Sequence, residues 1–179
     1  GENGLPEIVE SEAVVVRLIY RLFLYGKSPS AIARYLTDEG IPTPGGKKKW
    51  GSKVVESILT NEKYKGDALL QKRFTVDFLT KKQKVNEGEV PQYYVANSHP
   101  AIIPPEIFDL VQYELKRRKA DGRFTSCMYP FSGKIICGEC GGRFRRQKIY
   151  IGKPYETIRW CCHQHVINIS KCKQKAVRE

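Results

Sequence analysis

Apolar residues near the start of the chain recur at helical spacing. Across residues 5–26 they follow one another at steps of three and four, which predicts a long amphipathic helix. The stripe consists of Val9, Ala13, Val16, Tyr20 and Phe23. Pro6 suits the first turn of this helix, and acidic residues near its start complement the positive end of the helix dipole. Gly26 is placed to end it.

Two shorter helices are predicted next. Residues 28–40 begin with Ser-Pro, which suits a helix N-terminus, and they end at a glycine. The Pro- and Gly-rich residues 41–50 cannot continue a helix. Residues 51–61 predict a third helix that is capped by Ser52. The predicted buried positions of these two helices are Ile32, Leu36, Val55, Ile58 and Leu59.

A long helix, a short helix, a loop and another short helix match the order of a helix-turn-helix arrangement. Packing of the third helix leaves on its outer side polar residues able to reach base edges or phosphates. They are Lys53, Ser57, Thr60 and Asn61. Residues 45–84 also hold 11 Lys and Arg against 4 Asp and Glu. The exposed face of an ordinary helical bundle explains the spacing equally well.

The pattern changes after the third helix. Apolar residues in the next segment predict extended strands. They are Leu70, Phe74, Val76 and Phe78. Residues 104–120 then predict a last helix, opened by Pro105 and Glu106. The apolar side of this helix is predicted to consist of Ile107, Leu110, Val111 and Leu115.

Charge is distributed unevenly along the 179-residue chain. Residues 1–115 hold 15 basic and 15 acidic residues, whereas residues 116–179 hold 16 and 4, so the net charge of +12 lies in the last third. Together with a Gly- and Ser-containing stretch at 117–126, this predicts one domain over residues 1–118 and a second over residues 119–179. The second is suited to a phosphate backbone, although a merely solubilising basic surface is the alternative.

Composition predicts a soluble, cytoplasmic protein with no membrane partner. A hydrophobic content of 41% is enough for a core. No apolar run reaches the ~20 residues that span a bilayer, and no signal-peptide pattern stands at the start. In a reducing compartment the six cysteines are expected to bind metal rather than to form disulfides.

Cys137 and Cys140, in the segment CGEC, form one half of a candidate Zn²⁺ site. The glycines around them permit a tight turn that points both sulfurs at one ion. The second half pairs Cys172 with Cys161 or Cys162. In a strand, Cys162 lies on the same face as the tryptophan two residues before it, and Cys161 lies on the other. This alternation favours Cys162.

Other assignments of the cysteines stay open. His163 or His165 could replace one thiolate in a Cys₃His site. Disulfide pairing is disfavoured by the Cys-x-x-Cys spacing and by the inferred compartment. Cys127 stands apart from the other cysteines and is predicted to be a plain thiol. A bound metal would compensate for the small core of a segment of about 60 residues.

A strand with alternating arginines is expected directly after Cys140. Arg143 and Arg145 would lie on one face of it, and Phe144 and Arg146 on the other. The aromatic ring can then pack over the metal knuckle while the guanidinium groups face outward. A rigid strand that holds paired arginines is a good clamp for phosphate.

The order of these features resembles one family, the large serine recombinases, which include phage integrases and transposon resolvase-like enzymes. The segments that carry the resemblance are IARYLTDEGIPTP, VVESILTNEKYKG, HPAIIPPEIFDLVQYEL, YPFSGKIICGECGGRFRR and YETIRWCC. The resemblance implies an α+β fold. A mainly helical recombinase domain with a helix-turn-helix would be followed by a small zinc β-ribbon domain, expected to be truncated at its C-terminus.

The resemblance also implies roles for individual residues. It supports the assignment of four Zn²⁺ ligands, which are Cys137, Cys140, Cys162 and Cys172. It places the helix from Ser52 to Asn61 near the major groove of DNA. Lysines of the preceding loop and arginines of the ribbon would be further DNA contacts. These are Lys47, Lys48, Lys49, Arg143, Arg145 and Arg146. Trp50 is expected to pack beneath the helix rather than to contact DNA.

In that family a separate catalytic domain cuts both DNA strands through phosphoserine links and exchanges them within a tetramer. Ser11 has no surrounding constellation to activate it, so this chain is expected to be the recognition fragment and not itself an enzyme. It would bind double-stranded DNA at an attachment half-site of a mobile element and meet other recombinase protomers in the full-length protein. A zinc-ribbon adaptor or non-specific nucleic-acid binder is the alternative. A zinc nuclease would need an open metal position.

Overall fold

The computed structural model describes residues 6–120 and 128–179. They form two compact units: a mainly helical one of residues 6–24 and 29–120, and a small β-rich one of residues 25–28 and 128–179. The predicted α+β class is confirmed. The predicted boundary segment lies partly, and Cys127 wholly, outside the described residues, so a domain division at residue 118 stays a prediction.

Four helices build the first unit. They are α1 (Glu10–Leu24), α2 (Pro29–Asp38), α3 (Ser52–Thr60) and α4 (Pro105–Ala120). Tyr20 ties α1 to the end of α3, because its hydroxyl donates to the carbonyl oxygens of Ile58 at 3.1 Å and Leu59 at 3.3 Å. Burial raises the pKa of Tyr20, which keeps this donor neutral. The position of α3 is therefore fixed by a polar contact as well as by packing.

The burial predicted for the two short helices is confirmed. The side chains that α2 and α3 bury include Ile32, Leu36, Val55, Ile58 and Leu59. Gly40 follows α2 with a φ of 68°, in the left-handed region that glycine adopts readily after a helix. The apolar stripes thus turn these helices toward a shared core and leave their polar sides exposed.

The beginning of α1 was predicted wrongly. The helix begins at Glu10 rather than near Pro6, and the carbonyl of Val9 accepts the first helical hydrogen bond, from Ala13 N–H at 2.9 Å. Because Val9 precedes the first turn, it falls outside the stripe and is 56% exposed. Ile19 is fully buried on the core side of α1 instead.

The buried side of α4 agrees with the prediction at three of its four positions: Val111 is buried, and Ile107 and Leu115 pack partly buried against the core. Leu110 is 50% exposed, whereas Phe108 and Val111 are buried. The ring of Phe108 packs with its centroid 6.4 Å from that of Tyr20. The sequence pattern missed Phe108, which is buried with these residues, and wrongly included Leu110, which is exposed.

An ordered loop joins α2 to α3. The hydroxyl of Thr43 accepts from Lys47 N–H at 2.8 Å, which closes a tight turn. Trp50 is 8% exposed; its indole N–H donates to the Ile41 carbonyl at 2.7 Å and its backbone N–H to the Thr37 hydroxyl at 3.0 Å. The expected packing of Trp50 is confirmed. The connection is nevertheless longer than the three- or four-residue turn of a standard helix-turn-helix.

Ser52 does not cap α3 as predicted. Gly51 occupies the N-cap position in extended conformation and makes no side-chain cap, and Ser52 is the first helical residue. The carbonyl of Gly51 accepts from the N–H groups of Val54 and Val55 at 3.1 and 3.3 Å. The helix is held at this end by the buried Trp50 beside it instead of by a serine hydroxyl.

Four short strands complete the first unit as two antiparallel pairs. These are β1 (Ala68–Leu70) with β4 (Tyr93–Val95), and β2 (Arg73–Asp77) with β3 (Lys82–Val85). A single 3₁₀ turn, Glu62–Lys65, connects α3 to β1. Phe78 was predicted to lie in a strand but falls in the turn between β2 and β3.

The second unit is a three-stranded antiparallel sheet in the order β5-β6-β7. It consists of β5 (Phe144–Ile149), β6 (Thr157–Cys162), a short helix α5 (His163–Ile167), a 3₁₀ turn (Ile169–Lys171) and β7 (Val177–Arg178). Its buried cluster contains only two aromatic residues, Phe144 and Trp160, beside cysteines. A core this small offers little hydrophobic stabilisation.

None of the helices within the described ranges has both the length and the apolar character needed to cross a membrane.

Replacing Trp50 by alanine should destabilise the first unit by about 3–5 kcal/mol, because it empties a core site and removes the hydrogen bond to Ile41. Denaturant unfolding followed by circular dichroism measures this change. The matched control, Lys49→Ala, alters an exposed neighbour and should stay within about 0.5 kcal/mol of the wild type. Equal stability of the two variants would contradict the role assigned to Trp50.

Candidate metal centre and nucleic-acid interface

Four cysteine side chains converge in the second unit. The Sγ atoms of Cys137, Cys140, Cys162 and Cys172 all lie within 4.8 Å of one another. The first two come from the turn before β5, Cys162 ends β6, and Cys172 follows the 3₁₀ turn. The strand pairing sets Phe144 opposite Cys162, so the sheet itself brings the two halves of the cluster together.

The spacing of the sulfurs fits a tetrahedral ion. Cys137 Sγ lies 3.5 Å from Cys172 Sγ, and Cys140 Sγ lies 3.3 Å from Cys162 Sγ. Zn–S bonds of about 2.3 Å in a tetrahedron place the sulfurs roughly 3.8 Å apart. A disulfide would require about 2.05 Å. The four thiols are free and fit a closed Zn²⁺ site of the Cys₄ type.

Glycine shapes the turn around the cluster. Gly141 has a φ of 66° and donates its N–H to the Cys137 carbonyl at 3.0 Å, while Cys137 N–H donates to the Gly142 carbonyl at 2.7 Å. A Cβ on Gly142 would lie 3.2 Å from Cys140 Sγ and 3.3 Å from Cys162 Sγ. These distances are shorter than ordinary van der Waals contact, so a side chain at this position would push against the sulfurs.

The negative charge of the four thiolates would favour a bound cation. The backbone N–H of Cys140 holds the pKa of the Cys137 thiol at about 7. The Gln174 N–H favours a thiolate at Cys172 too, but burial and the neighbouring thiols together raise the pKa of Cys172. Four negative charges this close repel one another, and a divalent cation at their centre removes that repulsion.

The alternative metal ligands considered from the sequence, Cys161, His163 and His165, are not part of the cluster. Cys161 pairs with Arg145 on the opposite face of the sheet, and burial raises the pKa of its thiol. His165 is not in the cluster; its Nδ1 lies 2.7 Å from the Cys172 carbonyl oxygen and supports the loop that carries this cysteine. His163 begins α5, with its N–H donating to the Arg143 carbonyl at 2.9 Å.

Sequence reasoning missed Glu139, which lies between the first two cysteines. Its carboxylate accepts from Lys173 N–H at 3.0 Å and from the Cys172 thiol at 3.5 Å. It thereby links the first turn to the loop of the fourth cysteine. The signal was available, because Glu139 is one of only 4 acidic residues among residues 116–179.

The arginines in and directly before β5 differ in how accessible their side chains are to a ligand. Within β5 the predicted alternation is seen from Phe144 to Arg146, and Arg145 is exposed, whereas Arg143 precedes the strand. Arg146 is held inside the unit: its Nε lies 2.6 Å from Glu179 Oε2 and its guanidinium stacks 4.0 Å from the Tyr129 ring centroid. Arg143 is half-buried. Arg145 is therefore the most accessible of the three for a phosphate.

In the first unit, α3 presents Lys53, Ser57 and Thr60 to solvent. Asn61 is half-buried, and its side-chain oxygen accepts from Lys63 N–H at 3.2 Å, so it shapes the end of α3. Ser52, the first helical residue, is also half-buried. The predicted outer face is thus present, with a narrower set of exposed residues than expected.

The lysines before α3 are exposed and uncompensated. Within the described ranges no carboxylate lies within ion-pair distance of Lys47, Lys48, Lys49 or Lys53. Other lysines of this unit are paired: Lys72 with Glu62 at 2.7 Å, and Lys65 with Asp67 at 3.1 Å. The lysines of the loop and Lys53 at the start of α3 therefore carry positive charge that is free to meet an anion.

Comparisons with known proteins match both units. A family model described as "Recombinase" covers residues 10–118, and one described as "Recombinase zinc beta ribbon domain" covers residues 130–179. A curated relative, "Putative DNA recombinase" of Bacillus subtilis (strain 168), is 34% identical over 157 residues, which are 82% of this chain and 31% of that protein. The chain thus spans about a third of the length of this relative.

Two solved structures are also similar. One, "Crystal Structure of a LSR-DNA Complex", has a TM-score of 0.44 and 23% identity over 96% of this chain and 48% of the other. The second, "Sequence Requirements of the Listeria innocua prophage attP site", has a TM-score of 0.44 and 25% identity over 96% of this chain and 66% of the other.

Gly142→Ala should weaken Zn²⁺ binding about tenfold to a hundredfold, the range seen when groups around the ligands are changed. The added methyl group would push against two sulfurs. Competition with a chromophoric chelator measures the affinity. Gly138→Ala is the matched control, since a Cβ there meets open space and affinity should stay unchanged. Equal Zn²⁺ affinities of the two variants would contradict the role assigned to Gly142.

Proposed function

This chain belongs to the recombinase family, and we propose that it binds duplex DNA as the recognition part of a large serine recombinase. The target would be one half of an attachment site used to integrate or excise a mobile element. The observation that carries this proposal is the exposed polar face of α3 beside a loop whose lysines have no acidic partners in the described structure. Such a face combines groups that read bases with groups that bind phosphate.

We assign α3 as the reading helix. Its apolar side is taken up by the core, so only the face with Lys53, Ser57 and Thr60 can enter a groove. A helix fits the major groove, where a hydroxyl can donate to or accept from base edges and a lysine can donate to guanine. The contacts of Tyr20 and Trp50 described above would hold α3 rigid while it binds.

The loop before α3 is assigned to the phosphate backbone. Lys47, Lys48 and Lys49 follow the turn closed by Thr43 and precede the anchored Trp50. Both ends of the lysine run are therefore fixed before DNA arrives, which lowers the entropy lost on binding. Contacts of this kind set register and affinity without reading sequence.

The second unit is assigned a phosphate contact that depends on a bound metal. Cys137, Cys140, Cys162 and Cys172 would hold Zn²⁺, which when bound fixes the four side chains relative to one another. Arg145 would then project from an ordered strand toward the backbone of the duplex. Arg143 would extend the same positive surface, whereas Arg146 lies on the other face of β5 and would have to leave Glu179 before it could contact DNA.

Strand cleavage is assigned to a catalytic domain of the parent protein, acting together with other recombinase protomers. Ser11 is exposed in the first turn of α1, and no hydrogen bond joins it to a base within the described residues. Four thiolates around one ion leave no open coordination position, which disfavours a zinc nuclease. The proposed role of this chain is therefore binding.

The direct experiment is footprinting of the chain on DNA that flanks the mobile element encoding it, compared with a random duplex of equal length. A specific footprint that weakens steeply with salt, and weakens again after chelation of zinc, is the expected result. Equal affinity for random duplex and single strands would overturn the proposal and favour a zinc-ribbon adaptor or a non-specific binder.

Ser57→Ala should change the base preference of the chain, because it removes the only hydroxyl in the middle of the outer face of α3. Loss of one base contact costs about 1–3 kcal/mol at the affected position. Selection from a random duplex library, followed by sequencing, measures the preference. Ser30→Ala removes an exposed serine on α2 and should leave the selected motif intact. An unchanged motif for both variants would remove α3 from the groove.

Arg145→Ala should weaken binding to all duplexes about equally, because phosphate contacts carry no sequence information. The slope of log K against log salt should fall by about 0.9, the share of one phosphate contact. Fluorescence anisotropy at several salt concentrations measures both quantities. Arg21→Ala, which removes an exposed arginine from α1, serves as the control. Identical slopes for wild type and Arg145→Ala would contradict the assignment.

A further inference from the structure

The hairpin formed by β2 and β3 stands out because its strands bury almost nothing. We call residues 72–85 the arm. Not one residue of either strand is fully buried, and the two strands pair only with each other. A two-stranded hairpin is at best marginally stable by itself in water. An arm that stays paired without a core behind it is suited to contact something outside the unit.

The tip of the arm exposes two large apolar side chains. Phe78 and Leu79 are both 89% exposed. The turn that presents them is ordered by Asp77, whose carboxylate accepts from Leu79 N–H at 3.0 Å and from the Thr80 hydroxyl at 2.5 Å. A fixed turn with two adjacent apolar side chains in water is costly unless a ligand covers them.

The base of the arm is fastened close to the end of α3. Glu62, directly after the Asn61 cap, binds Lys72 Nζ at 2.7 Å. Asn86, which is buried, donates from its side chain to the Gln71 carbonyl at 2.9 Å and from its backbone N–H to the Lys72 carbonyl at 2.9 Å. The arm therefore starts one short turn away from the reading helix, and a five-residue strand reaches about 17 Å from there.

Charge identifies the kind of partner. The arm carries five basic residues and one acidic residue. Asp77 is occupied within the turn, and Lys72 and Lys84 are paired with glutamates at the base. The remaining cations, Arg73, Lys81 and Lys82, have no ion-pair partner within the described residues. Two copies of so basic an arm repel each other, whereas a polyanion attracts it.

We propose that the arm is a second DNA-contacting element, which rests on the binding function proposed above. Arg73, Lys81 and Lys82 would lie along the phosphates, and Phe78 and Leu79 would press as an apolar wedge against a base step in the groove beside the one read by α3. Wedges of this kind partly unstack a step and bend the duplex, which brings more protein surface into contact. The arm would thus contribute affinity and shape readout through deformable steps.

The test compares Phe78→Gln/Leu79→Gln with Val14→Gln/Leu110→Gln, which removes two exposed apolar side chains from α1 and α4. The probe is the duplex half-site selected from a random library by the wild-type chain, with 2-aminopurine scanned through it to report unstacking. The tip variant should bind about tenfold more weakly and lose the fluorescence increase that the wild type causes at one step. The control variant should match the wild type in both readouts.

A second variant, Lys81→Gln/Lys82→Gln, should lower the salt slope by about 0.9 for each lysine that contacts phosphate. If the wild type binds its half-site and the tip variant binds equally well with the same fluorescence, the inference fails while the binding function stands. If the wild type selects no duplex, both fail. A tip variant that changes only self-association, measured by sedimentation, would also overturn the inference by making the arm a protein contact.

Discussion

The convergence of four sulfurs is the constraint on which the second unit depends. Among the described residues, Phe144 and Trp160 are the only aromatic members of its buried cluster, and the other members are cysteines. A hydrophobic core of this size cannot by itself offset the entropy lost on ordering about fifty residues. Ligation of a Zn²⁺ ion would add its binding free energy to the folding free energy of this unit, as it does in other very small metal-binding domains. The arginines of β5 are useful as a rigid surface only if that ligation orders the strand which carries them.

The first unit offsets the entropy lost on folding with apolar packing and a few buried polar contacts instead of a metal. Tyr20 and Trp50 each place one hydrogen bond donor inside the core and satisfy it with a backbone carbonyl. These contacts hold α3 and the loop before it without using any residue of the exposed face. The exposed residues of α3 are consequently not needed for packing, so their identity can be determined by what they bind. The same division recurs at the arm, where Glu62 and Asn86 fix the base and leave the tip exposed.

Much of this arrangement could be predicted from residue spacing, and the errors have physical causes. The stripes of α2 and α3 were predicted because two apolar residues in α2 and three in α3, at helical spacing, define one face of each helix. The placement of Cys162 rather than Cys161 followed from strand alternation. The start of α1 was wrong, and so was the assignment of Leu110 to the buried side of α4, because helix ends and the choice of core side chains are settled by tertiary packing, as the packing of Phe108 on Tyr20 shows. Ser52 was mistaken for a cap because a glycine can fill that position without a side chain.

What spacing could not predict were contacts between residues far apart in the sequence. The contacts of Glu139 with Lys173 and of Arg146 with Glu179 form only when the second unit is folded.

The central claim is that metal ligation orders the second unit. Two-dimensional ¹H–¹⁵N NMR of the chain, recorded with zinc and after its removal, tests this claim most directly. Without metal, the amide signals of residues 128–179 should collapse to random-coil positions, while those of residues 6–120 keep their dispersion. A ribbon whose signals stay dispersed in metal-free protein would contradict it.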